Sequence, residues 1–304
     1  SSSFVKPSLT SPLLQDPWMA DNEPDGRDDI ETVNEPGGRE EYVTNQLVAQ
    51  NASLKGYDAI INEYVYIDTQ HVSEIFKKIS KSWNMMKGIG IDLGGGVGCI
   101  SSTIAQKETV KKIFCVELVE DVVKLCQPIV KKNILGESSD KVSSVVGSFD
   151  NLELDDNSID FAVSWDAMHH SAYLSKTLTE CKRVLKDDSI FVIVDRSHNN
   201  STPDSEIERM LNIVYDEEFL IKNYRTKDTI LTRRENGEHE YRFFEWKNYF
   251  KQAGFEILSN IIIKTSTNEN KKLKNDDDIP EIFVDYELGA FGNRKVVFVL
   301  KPIK

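Results

Sequence analysis

The chain has 304 residues, 39% apolar and 29% charged, with sixteen glycines and nine prolines, the profile of an ordinary globular protein with enough material for a sizeable core. Its formal net charge of −13 repels a polyphosphate backbone, and the nearest basic stretch, "KNYRTKDTILTRR" at 222–234, is short and runs into Glu235, so nucleic acid is not the expected partner. No basic-then-apolar leader opens the sequence, and no apolar run approaches the roughly 20 residues that a membrane span needs, so a cytoplasmic protein with no membrane span is expected.

Residues 1–40 are rich in Pro, Asp, Glu, Gly and Asn without an apolar period, and residues 1–66 together read as an arm and possible lid. Tyr64 and Tyr66 lie near its end, placed either to close over a substrate or to staple the arm. In "DTQHVSEIFKKISKSW", Val72, Ile75, Phe76 and Ile79 fall at helical spacing, with Asp68 or Thr69 available as a cap. From Gly88 short apolar runs alternate with amphipathic segments. The expected strands are "GIGIDL", "KIFCVEL", "KVSSVVGS", "IDFAVSW" and "SIFVIVD"; the helices between them include "VEDVVKLCQPIVKKNI", where Pro128 marks a kink or break, and "YLSKTLTECKRVLK". Such alternation predicts a parallel sheet with helices on both faces, here over residues 67–195. The cysteines Cys99, Cys115, Cys126 and Cys181 show no CxxC spacing and fall inside these elements, which points to buried thiols in a reducing compartment rather than disulfides or a zinc site.

After Asp195 the alternation pauses. Residues 196–243 are polar around an expected helix, "DSEIERMLNIVYDEEFLI", and read as an inserted cover. The helix "FFEWKNYFKQAGF" and the strands "EILSNIII" and "RKVVFVLK" close the chain over residues 244–304. Between those strands, residues 265–293 read as a long surface loop, with "NDDDIPE" as a solvated run. The fold class expected is α/β: a Rossmann-like, doubly wound, seven-stranded sheet, mostly parallel with an antiparallel last strand.

The stretch "GIDLGGGVGC" carries the chemistry. A dinucleotide fingerprint needs Gly at i, i+2 and i+5, but Gly94 and Gly96 are followed by Cys99 at that offset, and Gly96 and Gly98 by Ser101. A phosphate-binding loop fails as well, because no Gly-Lys-Ser/Thr follows. What fits is Asp92-x-Gly94-x-Gly96-x-Gly98 at the end of an expected strand. That arrangement resembles motif I of the class I S-adenosylmethionine-dependent methyltransferases. Glu117 stands at the end of the second strand, 117 − 94 = 23 residues past the first glycine, where that family places an acid for the ribose diol. The stretches "GSFDNLELDDNSIDFAVSWDAMHH", "RVLKDDSIFVIVD" and "EWKNYFKQAGFEIL" resemble the family's later segments, so the likeness covers residues 75–200 and 245–264. It is nearest to the ubiquinone/menaquinone-type subgroup that acts on small molecules.

The resemblance implies S-adenosylmethionine as cofactor, held by Asp92, Gly94, Gly95, Gly96, Gly98, Glu117, Leu118, Ser148, Phe149, Asp150, Ser164 and Trp165. The family's adenine-binding Asp is replaced by Ser148, which leaves the Ser148 hydroxyl, the Phe149 backbone or Asp150 for that contact. The pair His169 and His170 follows the fourth strand, with Asp166 just before it. Either one imidazole deprotonates or orients the methyl acceptor, or His170 packs over the cofactor and His169 caps a helix. Substrate contacts fall on Tyr64, Tyr66, Trp165, His170 and Arg196. Catechol-type relatives hold a metal with acids comparable to Asp166 and Asp195, but they follow the second with Asn where this chain has Arg196, so no metal is expected. The expected activity is in-line methyl transfer to a small-molecule acceptor, with O-, N- or C-methylation left open. A protein or nucleic-acid substrate and a non-catalytic cofactor-binding scaffold are the alternatives. A nicotinamide enzyme is disfavoured by the missing third glycine.

Overall fold

The structure, a computed structural model, describes residues 72–120, 122–217, 220, 228–265, 275, 277–284 and 295–303. Helical residues 72–78 lead into α1 (Ser80–Met85), followed by β1 (Gly88–Leu93), α2 (Cys99–Ala105) and β2 (Val110–Glu117). A single π-helical turn, Val122–Cys126, then feeds α3 (Gln127–Leu135), which has Pro128 in its first turn. The chain continues through β3 (Val142–Val146), β4 (Ile159–Trp165), a 3-10 turn at Met168–His170, α4 (Leu174–Val184) and β5 (Leu185–Arg196). After these come α5 (Asp204–Leu211), α6 (Phe243–Gln252), β6 (Phe255–Thr265), β7 (Glu281–Val284) and β8 (Lys295–Pro302).

The eight strands form one sheet in the order β3-β2-β1-β4-β5-β8-β6-β7. β1 to β5 pair in parallel, and β8 runs antiparallel between β5 and β6. Alternate residues feed two cores: in β5, Phe191 and Ile193 face α4 and α6, while Ile190, Val192 and Val194 face α2 and the helical residues 72–86. With both faces covered, the central strands read in sequence as unbroken apolar runs. All four cysteines are free and buried, as their placement predicted. Among the described residues no helix is long and apolar enough to cross a membrane.

Two expectations change. Among the described residues the sheet has eight strands where seven were expected, because Glu281–Val284, inside the stretch read as surface loop, pairs in parallel with Ile262–Thr265. The helix read over 204–221 is interrupted after Leu211, where Val214 bridges to Thr232 and folds the inserted segment back on itself; Glu217 and Leu220 are helical again.

Candidate active site

In a parallel sheet, ligands bind at the carboxyl ends of the strands where the strand order reverses. Here β1 lies between β2 and β4, so the ends of these three strands form that crevice. Gly94 and Gly95 N–H groups both donate to the Val116 carbonyl, at 3.0 and 2.9 Å, which folds the loop after β1 toward the end of β2. Gly94, Gly96 and Gly98 all have positive φ (73°, 50° and 89°), a backbone that glycine adopts without strain. A Cβ on Gly94 would meet the Ala167 side chain at 2.4 Å and one on Gly95 the Cys115 Sγ at 2.4 Å, whereas one on Gly96 would meet nothing within 4 Å. Gly94 and Gly95 are thus glycines for packing reasons. Gly96 borders open space.

Glu117 faces that space. Its carboxylate accepts the Gly96 N–H and the Val119 N–H, each at 3.0 Å. Gln127 Nε2 donates to the Gly96 carbonyl at 2.8 Å and fixes the loop from α3. Asp92, fully buried at the end of β1, accepts the Ser101 hydroxyl at 2.6 Å on Oδ2, while Oδ1 has no hydrogen-bond partner among the described residues. Burial pushes its carboxyl up to about 7, against the Ser101 hydrogen bonds and with help from the Glu117 charge. Leu118 is exposed beside Glu117, and Phe149 is part-buried, packed against the core.

Four of the expected cofactor residues have commitments inside the protein. Ser164 is buried and donates its hydroxyl to the Leu93 carbonyl at 2.9 Å, tying β4 to β1. Ser148 Oγ accepts the Asp150 N–H at 3.1 Å, and the Asp150 carboxylate accepts the Thr177 hydroxyl of α4. Trp165 stands edge-on to Phe76. Tyr64 and Tyr66 lie outside the described residues.

One strand further along the same edge, the ends of β4 and β5 carry an ionic cluster. Asp166 adopts a left-handed backbone (φ 54°) that turns the chain out of β4. His169, buried, approaches Asp195 Oδ1 through Nδ1 at 2.7 Å, while its backbone N–H donates to Oδ2 of the same carboxylate at 3.2 Å. His170 is exposed on one side and places Nδ1 3.2 Å from the Gly237 carbonyl. Burial, with a smaller contribution from His169, brings His170 down to about 4. Asp166 pairs with Lys295 at 2.7 Å, and against its desolvation the Lys295, His169 and Arg196 charges hold it below the usual carboxylate range.

The inserted segment supplies the rest. Arg196 pairs with Glu238 and lies 3.4 Å from Glu240; the fully buried Arg233 pairs with Glu240, as does His198. Tyr215 donates to Glu238 at 2.9 Å. Although burial opposes it, the Arg196 charge holds the Glu238 carboxyl low. Of the expected residues, Asp166, His169, His170 and Arg196 therefore meet. Sequence reasoning missed their partners Glu238, Glu240, Arg233 and Lys295. Their one sequence signal is the alternation in "GEHEYR", which puts Glu238 and Glu240 on one side and His239 and Tyr241, stacked on each other, on the opposite side.

Residues 91–193 match the model of a methyltransferase domain. None of the curated protein sequences matches the chain. Among solved structures, a candidate sarcosine dimethylglycine methyltransferase from Galdieria sulphuraria is 22% identical with a TM-score of 0.46, the match covering 62% of this chain and 60% of that one. The chain thus spans less than two thirds of that protein. A candidate methyltransferase from Bacillus halodurans is 16% identical, covering 75% of this chain and 99% of that one, with a TM-score of 0.52. The [4+2]-cyclase SpnF is 14% identical over 76% of this chain and 81% of its own, also with a TM-score of 0.52. The last two show the shared fold, and the cyclase among them shows why a fold does not by itself fix a reaction. The glycine loop and the carboxylate that faces it both lie inside the segment, residues 91–193, that is similar to a methyltransferase domain.

Proposed function

We propose that the chain transfers the methyl group of S-adenosylmethionine to a small-molecule acceptor bound at the His169–His170 end of the crevice. The observation that carries this reading is the Glu117 carboxylate at the rim of the open space over Gly96. A carboxylate presents two acceptor oxygens at the spacing of a ribose cis-diol, and the bare backbone at Gly96 admits a flat ligand. The unpartnered Asp92 Oδ1 suits an ammonium group, and exposed Leu118 an adenine face.

S-adenosylmethionine supplies an already activated methyl group, so the protein's part is alignment and exclusion of water. Residues 196–217 and 228–243 form the cover over the acceptor. The acceptor lies at the His169–His170 face, and its proton leaves there. The acidic surface and the absence of an Asn/Asp-Pro-Pro-aromatic motif in "SWDAMHHS" favour a small acceptor over nucleic acid.

The test incubates the purified chain and S-adenosylmethionine with panels of small phenols, quinols, carboxylates and amines, and follows S-adenosylhomocysteine by mass spectrometry. Turnover with one panel fixes the acceptor class. Tight cofactor binding without turnover on any small molecule, but with turnover on a cell protein or RNA fraction, overturns the small-acceptor reading.

A further inference from the structure

The two imidazoles beside the acceptor space are oriented alike. His169 directs Nδ1 at the Asp195 carboxylate (2.7 Å) and His170 directs Nδ1 at the Gly237 carbonyl (3.2 Å). Both partners only accept, so both Nδ1 atoms carry a proton, which leaves Nε2 as the nitrogen of each ring free to ligate. Those two Nε2 atoms converge on a third acceptor: His169 Nε2 lies 3.5 Å from Glu238 Oε2, and His170 Nε2 lies 4.0 Å from Glu238 Oε1. One ligand atom from each of the three residues can be chosen so that all lie within 4.8 Å of one another.

The His169 Nε2–Glu238 Oε2 separation of 3.5 Å and the His170 Nε2–Glu238 Oε1 separation of 4.0 Å lie at and above the ligand–ligand edge of about 3.4 Å in a tetrahedral site with metal bonds of about 2.0–2.1 Å, so a small shift of the exposed His170 closes the set. The surroundings are rich in carboxylates: Asp166, Glu238 and Glu240 each hold a Lys or Arg partner, and Asp195 stands behind His169.

We infer that His169, His170 and Glu238 bind one divalent first-row transition-metal ion, with Asp195 and the Gly237 carbonyl orienting the two imidazoles from behind. Two His and one carboxylate make a donor set of zinc and of non-haem iron, and an acceptor on the far nitrogen of each ligating ring is the usual second layer of such sites. Arg196 and Arg233 both face Glu238 Oε2, while Oε1 accepts the Tyr215 hydroxyl and keeps a second lone pair for the ion. His170 is exposed on its outer side, which leaves coordination positions open to an oxygen-donor acceptor. These residues are distinct from the Asp166–Asp195 pair of the catechol-type arrangement, for which Arg196 is the wrong neighbour. The ion's binding stands apart from the methyl-transfer reading; its role in holding the acceptor rests on that reading.

The test takes untagged full-length chain, stripped with a chelator, and dialyses it against zinc alone and cobalt alone, with bound metal counted by plasma mass spectrometry. S-adenosylmethionine is titrated in parallel. The expected result is one ion per chain, cobalt absorption bands of a nitrogen- and oxygen-ligated site, and at least a tenfold loss of affinity in His170→Ala and in Glu238→Gln. His170 is exposed, so its variant keeps the fold, checked by circular dichroism. Wild type that retains no zinc, or zinc binding indifferent to both substitutions, overturns the site. Metal binding that depends on His170 without any binding of S-adenosylmethionine upholds the site and sinks the methyl-transfer reading.

Discussion

Asp92→Asn separates what the glycine-loop acid costs the fold from what it gives the ligand. The Asp92 carboxyl is fully buried, has a hydrogen bond from Ser101 on one oxygen only, and titrates at about 7 against 3.8 in the unfolded chain. Because the folded value is raised, the folded state binds the proton more tightly. Stability from this group is full below pH 3.8, declines as pH rises toward 7, and is level above that. At about 1.4 kcal/mol per pH unit, the decline totals about 4 kcal/mol. Asparagine keeps the acceptor for Ser101 and has no charge to bury. Urea unfolding of the ligand-free protein at pH 5, 6, 7 and 8 should therefore show Asp92→Asn gaining on wild type with each step up to 7, then holding level. Taking the difference between the two proteins cancels every other titrating group. Affinity for S-adenosylmethionine should move the other way: in wild type it rises with pH through 7 as the carboxylate forms, and in the variant it is weak and flat. A stability difference that stays constant from pH 5 to 8, or a variant less stable than wild type at pH 8, would refute the reasoning.

Neighbouring glycines should fail in different ways. Gly95→Ala drives a methyl group to 2.4 Å from buried Cys115 and should lose about 1–3 kcal/mol of stability by overpacking, read as a lower urea midpoint. Gly96→Ala meets no protein atom within 4 Å and should lose only about 1 kcal/mol for its left-handed backbone, yet bind S-adenosylmethionine at least tenfold more weakly by calorimetry. Arg233→Met leaves Glu240 and Glu238 short of a buried cation and should cost about 3–5 kcal/mol; a melting temperature equal to wild type would show that the cluster does not latch the inserted segment. Trp246→Phe removes a fully buried indole and its 2.9 Å hydrogen bond to the Arg196 carbonyl and should cost about 1–3 kcal/mol by leaving that carbonyl unpaired, with broader selectivity for acceptors as Arg196 loosens.

The central sheet and its glycine loop were legible in the sequence because strands buried on both faces read as unbroken apolar runs, and because a backbone that must turn sharply permits few residues but glycine. β7 was not legible. It is four residues long, lies beside β6 at the sheet edge and packs only Ile282 inward while Phe283 stays exposed, so it has too little length and burial to mark it. The helix over 204–221 was read as unbroken because its apolar period continues past Leu211, while the bridge from Val214 to Thr232 that interrupts it is a pairing that local pattern cannot show. The ionic cluster is illegible for the same reason on a larger scale. His239 meets the His169 carbonyl 70 residues away, and that contact brings "GEHEYR" under the paired histidines. A lone acidic residue in a polar segment reads as solvated until the fold buries it.

Calorimetric titration of S-adenosylmethionine into wild type and Glu117→Gln, with NADH as the control ligand, tests the central claim most directly. The account requires micromolar binding of S-adenosylmethionine to wild type, at least tenfold weaker binding to Glu117→Gln, and none of NADH. Binding of S-adenosylmethionine that is absent, or equal in the two proteins, would contradict the assignment of the Gly96–Glu117 cradle as its seat.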